Sequence, residues 1–297
     1  MRINIQNRVF KFAAYSLLLT CCLVSIASAQ LLFDTPQEAA KTFIHALKNQ
    51  DRNAYNEIFG SDWQDFIPTD EVDREDVNKF LQAWDQSHSI QFDADDLAYI
   101  TVGKNNWLFP IPVTKTEGGW RFNPQLGEVE IITRRIGRNE ISAIQSVLAY
   151  YDAQREYALK DHNGDGNVEY AQKIISTPGE KDGLYWAALE GEPESPLGPL
   201  YGEDTPGEGY HGYYFKILKR QGPDAEGGAY NYLLGNRMIG GFALVAWPVD
   251  YGESGIMTFI INHEGQVYES DLGPETDTEA RKMDRFNPDT SWEKTTL

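Results

Sequence analysis

The segment from Arg138 to Tyr170 constrains the fold of this chain most, because it predicts one long helix followed at once by an acidic loop. Apolar residues recur in it at spacings of three and four, which places them on one helix face. Asn139 precedes this pattern and is predicted as the N-cap, since its side-chain oxygen can accept from the free amides of the first turn. A helix of about 20 residues would run roughly 30 Å, enough for the spine of a small domain. The predicted apolar face comprises Ile141, Ile144, Leu148 and Tyr151.

The first 29 residues have the pattern of a secretory signal peptide. A basic start with Arg2, Arg8 and Lys11 is followed by an apolar run, and small residues at positions 27–29 precede a cleavage site before Gln30. The apolar run is shorter than the roughly 20 residues that span a bilayer, which argues against the alternative of a membrane anchor. We therefore expect residues 1–29 to be removed, no transmembrane segment in the processed chain, and a periplasmic or secreted location.

Both cysteines, Cys21 and Cys22, lie in the predicted signal peptide, so the processed chain would contain none. Disulfides, a thiolate nucleophile and cysteine-bound zinc are then excluded. The signal peptide holds three of the 26 Lys and Arg and none of the 45 Asp and Glu, which leaves 23 basic residues and a net charge of −22. A chain this acidic repels the phosphates of nucleic acids, so we expect no nucleic-acid partner.

Length and the change of pattern along the chain predict two α+β domains, 30–125 and 126–297. The first has helices followed by the period-two segments of a curved antiparallel sheet. Its first helix is predicted to begin with Thr35 as N-cap, Pro36 at the first position and Glu38 completing a capping box. Its strands are predicted at 98–102, 107–113 and 119–122.

The second domain is predicted to be the long helix packed on an antiparallel meander. Residues 191–209 are rich in Pro, Gly and Glu and have too few apolar residues to fold on themselves, so we expect an exposed loop. The turn from Asn262 to Gly265 predicts a hairpin. Strands are predicted at 212–219, 230–234, 241–247, 256–262 and 266–270.

The acidic loop that follows the helix matches the first nine positions of a calcium-binding loop. Side-chain oxygens fall at positions 1, 3 and 5, the turn glycine Gly166 at position 6 and a backbone carbonyl at position 7. Position 12 is Gln172, which cannot supply a bidentate carboxylate, so a weak site is expected. The alternative interpretation is an acidic turn without a metal. The predicted calcium ligands are Asp161, Asn163, Asp165, the Asn167 carbonyl and Glu169.

Two resemblances to known folds arise from longer segments. The helix NEISAIQSVLAYYDAQREYA with the later GFALVAWPVDYGESGIMTFIINHEGQVY resembles the globular part of type IV pilins and major pseudopilins, in which a helix packs on an antiparallel sheet. Pilins also carry a long apolar helix at the mature N-terminus, which is replaced here by a separate domain, so we expect no filament formation. The opening TPQEAAKTFIHALKNQDRNAYNEIF resembles nuclear-transport-factor-like cone folds.

Over nearly all of its processed length, the chain also resembles a bacterial exported family known as the domain of unknown function 2950 (DUF2950). The resemblance implies export but no activity. The matching blocks are FDTPQEAAKTF, FPIPV, GGWRF, RRIGRNE, YYDAQREYA, HNGDGNVEYAQ, ISTPGEKDGLYW, GEPESPLGPL, YHGYYFKIL, GGFALVAWPVDYGESG and SWE.

No further motif points to a reaction. His263-Glu264 is not followed by a second histidine four residues on, and the segment from Gly252 to Gly255 lacks the last glycine of a nucleophile elbow. We therefore expect an exported, non-catalytic structural or partner-binding protein of the envelope, stabilised by calcium, whose partner is an unknown envelope protein or ligand. The alternative is an envelope hydrolase acting on glycan or peptide. A deep cleft that joins His211, a carboxylate and aromatic rings would favour it.

Overall fold

The computed structural model of the chain describes residues 30–67, 72–188, 194–198 and 209–295. The predicted signal peptide therefore lies outside the described residues. Of the Pro- and Gly-rich loop, only residues 194–198 and Gly209 are described.

The described residues of the N-terminal part form three helices and an antiparallel sheet. The sheet has the order β1-β2-β4-β5, with β3 paired to β2. In chain order the elements are α1 (Pro36–Asn49), α2 (Arg52–Phe59), a 3₁₀ turn (Trp63–Asp65), α3 (Arg74–Gln86), β1 (His88–Ala94), β2 (Leu97–Val102), β3 (Trp107–Leu108), β4 (Val113–Thr116) and β5 (Gly119–Phe122).

The start of α1 confirms the predicted N-cap. The Glu38 amide donates to Thr35 Oγ1 at 3.2 Å, and Pro36 occupies the first helical position. The Glu38 carboxylate accepts from the Asp34 amide at 3.2 Å, one residue before the cap. Local side-chain chemistry alone thus determines where this helix begins.

The predicted single strand at 107–113 is wrong, because the structure divides it into β3 and β4. Pro110 and Pro112 lie between the two strands, and a proline has no amide hydrogen to donate to a sheet. Strand β1, which the sequence pattern did not reveal, lies at the edge of the sheet and is exposed along most of its length.

Helix α4 (Pro124–Tyr157) is 34 residues long, which corresponds to about 51 Å. The predicted N-cap at Asn139 is therefore wrong. The cap is Asn123, whose side-chain oxygen accepts from the Leu126 amide at 3.1 Å, and Pro124 follows at the first position. Asn139 lies inside the helix, where its side-chain amide donates to the Ser254 carbonyl at 2.8 Å.

The buried face of α4 also differs from the prediction. Ile141 is 59% exposed, whereas Ile144, Leu148 and Tyr151 are only partly buried at the margin of the core. The face toward the sheet mixes small and polar side chains with larger ones, which a hydrophobicity pattern does not register. Its buried residues are Ala143, Ser146, Val147, Tyr150, Ala153, Gln154 and Tyr157.

The C-terminal part of the chain packs α4 against a five-stranded antiparallel sheet of order β14-β13-β12-β11-β6. This arrangement confirms the α+β class. The elements are β6 (Tyr213–Leu218), β7 (Arg220–Gln221), β8 (Tyr230–Asn231), β9 (Leu233–Leu234), β10 (Arg237–Met238), β11 (Ala243–Pro248), β12 (Met257–Asn262), β13 (Tyr268–Asp271), α5 (Thr276–Lys282) and β14 (Glu293–Lys294).

The turn between β12 and β13 is the predicted one, since the Gly265 amide donates to the Asn262 carbonyl at 2.9 Å. Strand β11 is buried along its whole length, as expected for a strand between two neighbours that is also covered by helices α4 and α5. Helix α5 was not predicted, because its segment has few apolar residues.

The buried apolar residues form two clusters, one from Phe33 to Phe122 and the other from Ala143 to Phe286. Helix α4 joins them, and none of its residues at 128–142 is buried. The division into separately folding domains 30–125 and 126–297 stays a prediction. No helix in the described part of the chain has the length and apolarity that crossing a membrane would require.

Candidate cation loop and the cleft beside it

The acidic loop begins four residues after the end of α4 and is organised around Asp161. Its Oδ1 atom accepts from the amides of Asn163 (3.2 Å) and Gly164 (2.8 Å), and its Oδ2 atom accepts from the amide of Gly166 (2.7 Å). These amides, that of Gly166 most strongly, hold the pKa of Asp161 below its usual value. The carboxylate is therefore ionised and fixed in orientation.

The next two side chains continue this pattern along the loop. Asn163 Oδ1 accepts from the Asp165 amide at 3.0 Å, and Asp165 Oδ1 accepts from the Asn167 amide at 2.9 Å. Gly166 has φ +82°, a left-handed conformation that L residues rarely adopt, and it turns the chain back at the position where calcium loops require glycine.

Glu169 closes the loop through two other residues. The Asn163 side-chain amide donates to Glu169 Oε1 at 2.9 Å. The Arg237 guanidinium lies 3.4 Å from Asp165 Oδ1 and 3.8 Å from Glu169 Oε2. Four predicted ligands, Asp161, Asn163, Asp165 and Glu169, thus belong to one contact network that already includes a protein cation.

The donors in this loop are all oxygens, which is the ligand type that calcium takes. Within the described residues, no three His, Cys, Asp or Glu side chains converge closely enough to hold a metal by themselves. A bound ion would therefore need the Asn163 amide oxygen and the Asn167 carbonyl. Gln172, at position 12, is bonded elsewhere: its amide donates to the Asn236 carbonyl at 2.6 Å.

The end of the loop is fixed to α4 by Gln154, which is fully buried. Its Oε1 atom accepts from the Ala171 amide at 2.9 Å and its Nε2 atom donates to the Ala171 carbonyl at 2.8 Å. Nε2 also lies 3.0 Å from the Tyr150 hydroxyl, which donates to the Ala243 carbonyl of β11. One buried polar network therefore connects the loop, the helix and the sheet.

A small cleft of about 150 Å³ lies beside the loop. The His162 ring stacks on Tyr157 at a centroid distance of 4.0 Å, and its Nε2 atom donates to the Tyr157 carbonyl at 3.1 Å. Partial burial lowers the pKa of His162, so its ring is neutral at physiological pH. The residues lining the cleft are Glu156, Lys160, Asp161, His162, Lys181, Trp186, Glu194 and Pro196.

The sequence analysis did not single out His162. The only signal for it was its position five residues after Tyr157, near the end of the predicted helix. His211, which the hydrolase alternative required, is exposed and does not line this cleft. Two histidines of the N-terminal part have structural partners. His45 Nε2 lies 3.1 Å from the side-chain nitrogen Nδ2 of Asn49, and His88 Nδ1 donates to the Trp84 carbonyl at 2.9 Å.

A family model described as protein of unknown function (DUF2950) matches residues 30–295. No curated protein and no solved structure matches the chain. The resemblances to pilins and to nuclear-transport-factor-like folds are therefore not confirmed by these comparisons.

Proposed function

The chain belongs to the DUF2950 family of proteins of unknown function, and on that premise we propose that it is an exported, non-catalytic structural or partner-binding protein of the bacterial envelope. We propose further that the acidic loop binds one calcium ion, which stabilises the fold. The pattern of residues 1–29 supports export. The preorganised Asp161 carboxylate is the observation that carries the calcium proposal.

Calcium would replace the Arg237 guanidinium as the positive charge among the loop oxygens. Asp161, Asn163, Asp165 and Glu169 already lie in one network, so binding requires little rearrangement of the backbone. The ion would neutralise clustered carboxylates and hold the end of α4 against the segment that Gln154 fixes. Its role would thus be to stabilise the packing of α4 in the second cluster of buried residues, from Ala143 to Phe286.

The affinity should be that of extracellular calcium modules, about 10⁻⁴ to 10⁻³ M, because Gln172 supplies no carboxylate at position 12. At several times to tenfold that concentration, binding adds about 1–2 kcal/mol to the free energy of unfolding. For a chain of this size, each kcal/mol raises Tm by roughly 2–4 °C. The measurement is thermal unfolding with and without millimolar calcium.

Asp165→Ala should abolish this rise in Tm, while Asp93→Ala, which removes an exposed aspartate outside the loop, should leave it intact. Magnesium at the same concentration controls for general screening of the acidic surface. An unchanged Tm in the wild type, or an equal rise in Asp165→Ala, would mean that the loop is an acidic turn without a metal.

The cleft supports a second candidate, the envelope hydrolase, because it gathers His162, Trp186 and the carboxylates of Glu156 and Glu194. A general acid or base would have to come from these groups. Release of soluble fragments from cell-wall glycan or a peptide, lost in Glu156→Gln or Glu194→Gln, would establish this candidate in place of the first.

A further inference from the structure

Strand β1 (His88–Ala94) forms an open edge of the N-terminal sheet. Within the described residues, its only strand partner is β2. Six of its seven residues are exposed and Ile90 is half-buried, with Phe92 53% exposed. The strand therefore presents one full backbone edge to solvent.

The ladder to β2 determines which backbone groups point outward. The Gly103 amide donates to the Ser87 carbonyl at 2.8 Å, and hydrogen-bonded pairs alternate along an antiparallel ladder. The amides and carbonyls of His88, Ile90 and Phe92 consequently face away from β2. No backbone hydrogen bond from elsewhere in the described part of the chain reaches these groups.

This edge lacks most features that keep exposed edges from pairing. The residues His88 to Phe92 include no Lys, no Pro and no Asp or Glu, and the only irregularity is a bulge after Phe92. In the C-terminal sheet, by contrast, edge strand β6 carries Lys216 and edge strand β14 has only two residues. The β1 edge is thus suited to accept another strand.

We propose that β1 pairs antiparallel with β1 of a second copy of this chain, across a twofold axis at Ile90. In this register His88 lies opposite Phe92 of the partner subunit, and Ile90 lies opposite its own copy. The outward groups of both strands would then form about six backbone hydrogen bonds.

Self-pairing in this register brings no like charges together. His88, Ile90 and Phe92 share one face and form an aromatic–imidazole pair on each side of an aliphatic pair. The only formal charge in β1 is Asp93, and its two copies would be about 20 Å apart, beyond the Debye length of about 8–10 Å at physiological salt. The charge pattern of the strand therefore fits a second copy.

The dimer should be weak, because one strand pair buries little surface and both copies carry a large negative charge. Salt screens that charge, so association should strengthen as ionic strength rises. Sedimentation velocity of residues 30–297 over a concentration series, at low and high salt, measures both effects.

Phe92→Lys should weaken the dimer about tenfold or more, since it replaces the ring opposite His88 with a charge at an otherwise uncharged edge. Val129→Lys is the matched control, because it changes an exposed apolar residue of α4 to the same charge and should leave the dimer unchanged. The proposal would be overturned if both variants weakened the dimer equally, or if Phe92→Lys did not weaken it.

The register has a separate test. Ser89 would lie opposite Gln91 of the partner subunit in a non-hydrogen-bonded pair, whose Cβ atoms are close enough for a disulfide. Because a chain starting at Gln30 contains no cysteine, the double variant Ser89→Cys, Gln91→Cys should give a covalent dimer under mild oxidation, and Gln91→Cys alone should not. A monomer at every concentration, together with no covalent dimer from the double variant, would overturn the proposal.

Discussion

Asp182 closes the segment between residues 173 and 182 through three contacts. Its carboxylate accepts from the Thr177 amide (2.8 Å), the Thr177 hydroxyl (2.9 Å) and the Lys173 ammonium (2.5 Å). Partial burial alone would raise the pKa of Asp182, but these donors outweigh it and lower the pKa to about 2.

A carboxylate whose pKa is depressed in the folded state stabilises the fold above its unfolded pKa and loses that contribution as the pH falls. For Asp182 the window runs from about pH 4 down to about pH 2. Asp182→Asn should therefore lower Tm at neutral pH, and the difference from wild type should shrink across this window. Asp152→Asn, an exposed change on α4, should show no such convergence. A difference that stays constant from pH 7 to pH 2 would contradict this role.

At the scale of single residues, the sequence was informative where a side chain bonds to its own local backbone. Thr35 caps α1 as predicted, because the bond spans three residues. Asn139 was misassigned because its partner, Ser254, is 115 residues away and cannot be inferred from spacing. The role of Gln154 could not be inferred from spacing either, because its side chain bonds to the buried backbone amide and carbonyl of Ala171, 17 residues away. The calcium ligands stay a prediction that the melting experiment tests.

At the scale of elements, side chains in the middle of α4 bind the segment that connects β11 to β12. Glu140 Oε1 accepts from the amides of Ile256 and Met257, each at 3.0 Å. The Arg135 guanidinium donates to the Glu253 carbonyl at 3.0 Å and pairs with its carboxylate at 2.8 Å. These contacts connect the middle of α4 with residues 253–257, which lead into β12.

Glu140→Ala should lower the free energy of unfolding by about 1–3 kcal/mol, because two partly buried amides lose their acceptor. Glu140→Gln keeps an acceptor oxygen and should cost less. Urea unfolding measures both variants, with Glu128→Ala on the same helix as the control. Equal losses for Ala and Gln would show that charge, not the hydrogen bonds, is what Glu140 contributes.

Strands with a buried face were predicted more reliably than the exposed strand β1 and than the boundaries of α4. The hydrophobic pattern found the second half of α4 but not the first, because no residue at 128–142 is fully buried and the stretch shows no clean period. Strand β1 was not predicted for a related reason. It is exposed on both faces, so its sequence lacks the alternation of apolar and polar residues that indicates a strand.

At the scale of the whole molecule, the two clusters of buried residues support a test of independent folding. Residues 126–297 contain the entire second cluster and nearly all of α4. Expressed alone, this fragment should unfold in a single cooperative thermal transition, although loss of the Asn123 cap should cost about 1 kcal/mol. A broad transition, or an insoluble product, would show that the second cluster of buried residues folds only together with the first.

The stretch of α4 between the two clusters also bears on how the protein resists digestion. Arg134, Arg135 and Arg138 lie in it and would attract trypsin in an unfolded chain. A protease must first draw several residues out of the helix, and here both helix ends are anchored in separate cores, so fraying cannot start nearby. Brief trypsin treatment should therefore cut in loops first and leave the two cores joined, as the masses of the earliest fragments would show. Early cleavage after any of these three arginines would mean that the helix opens at its centre.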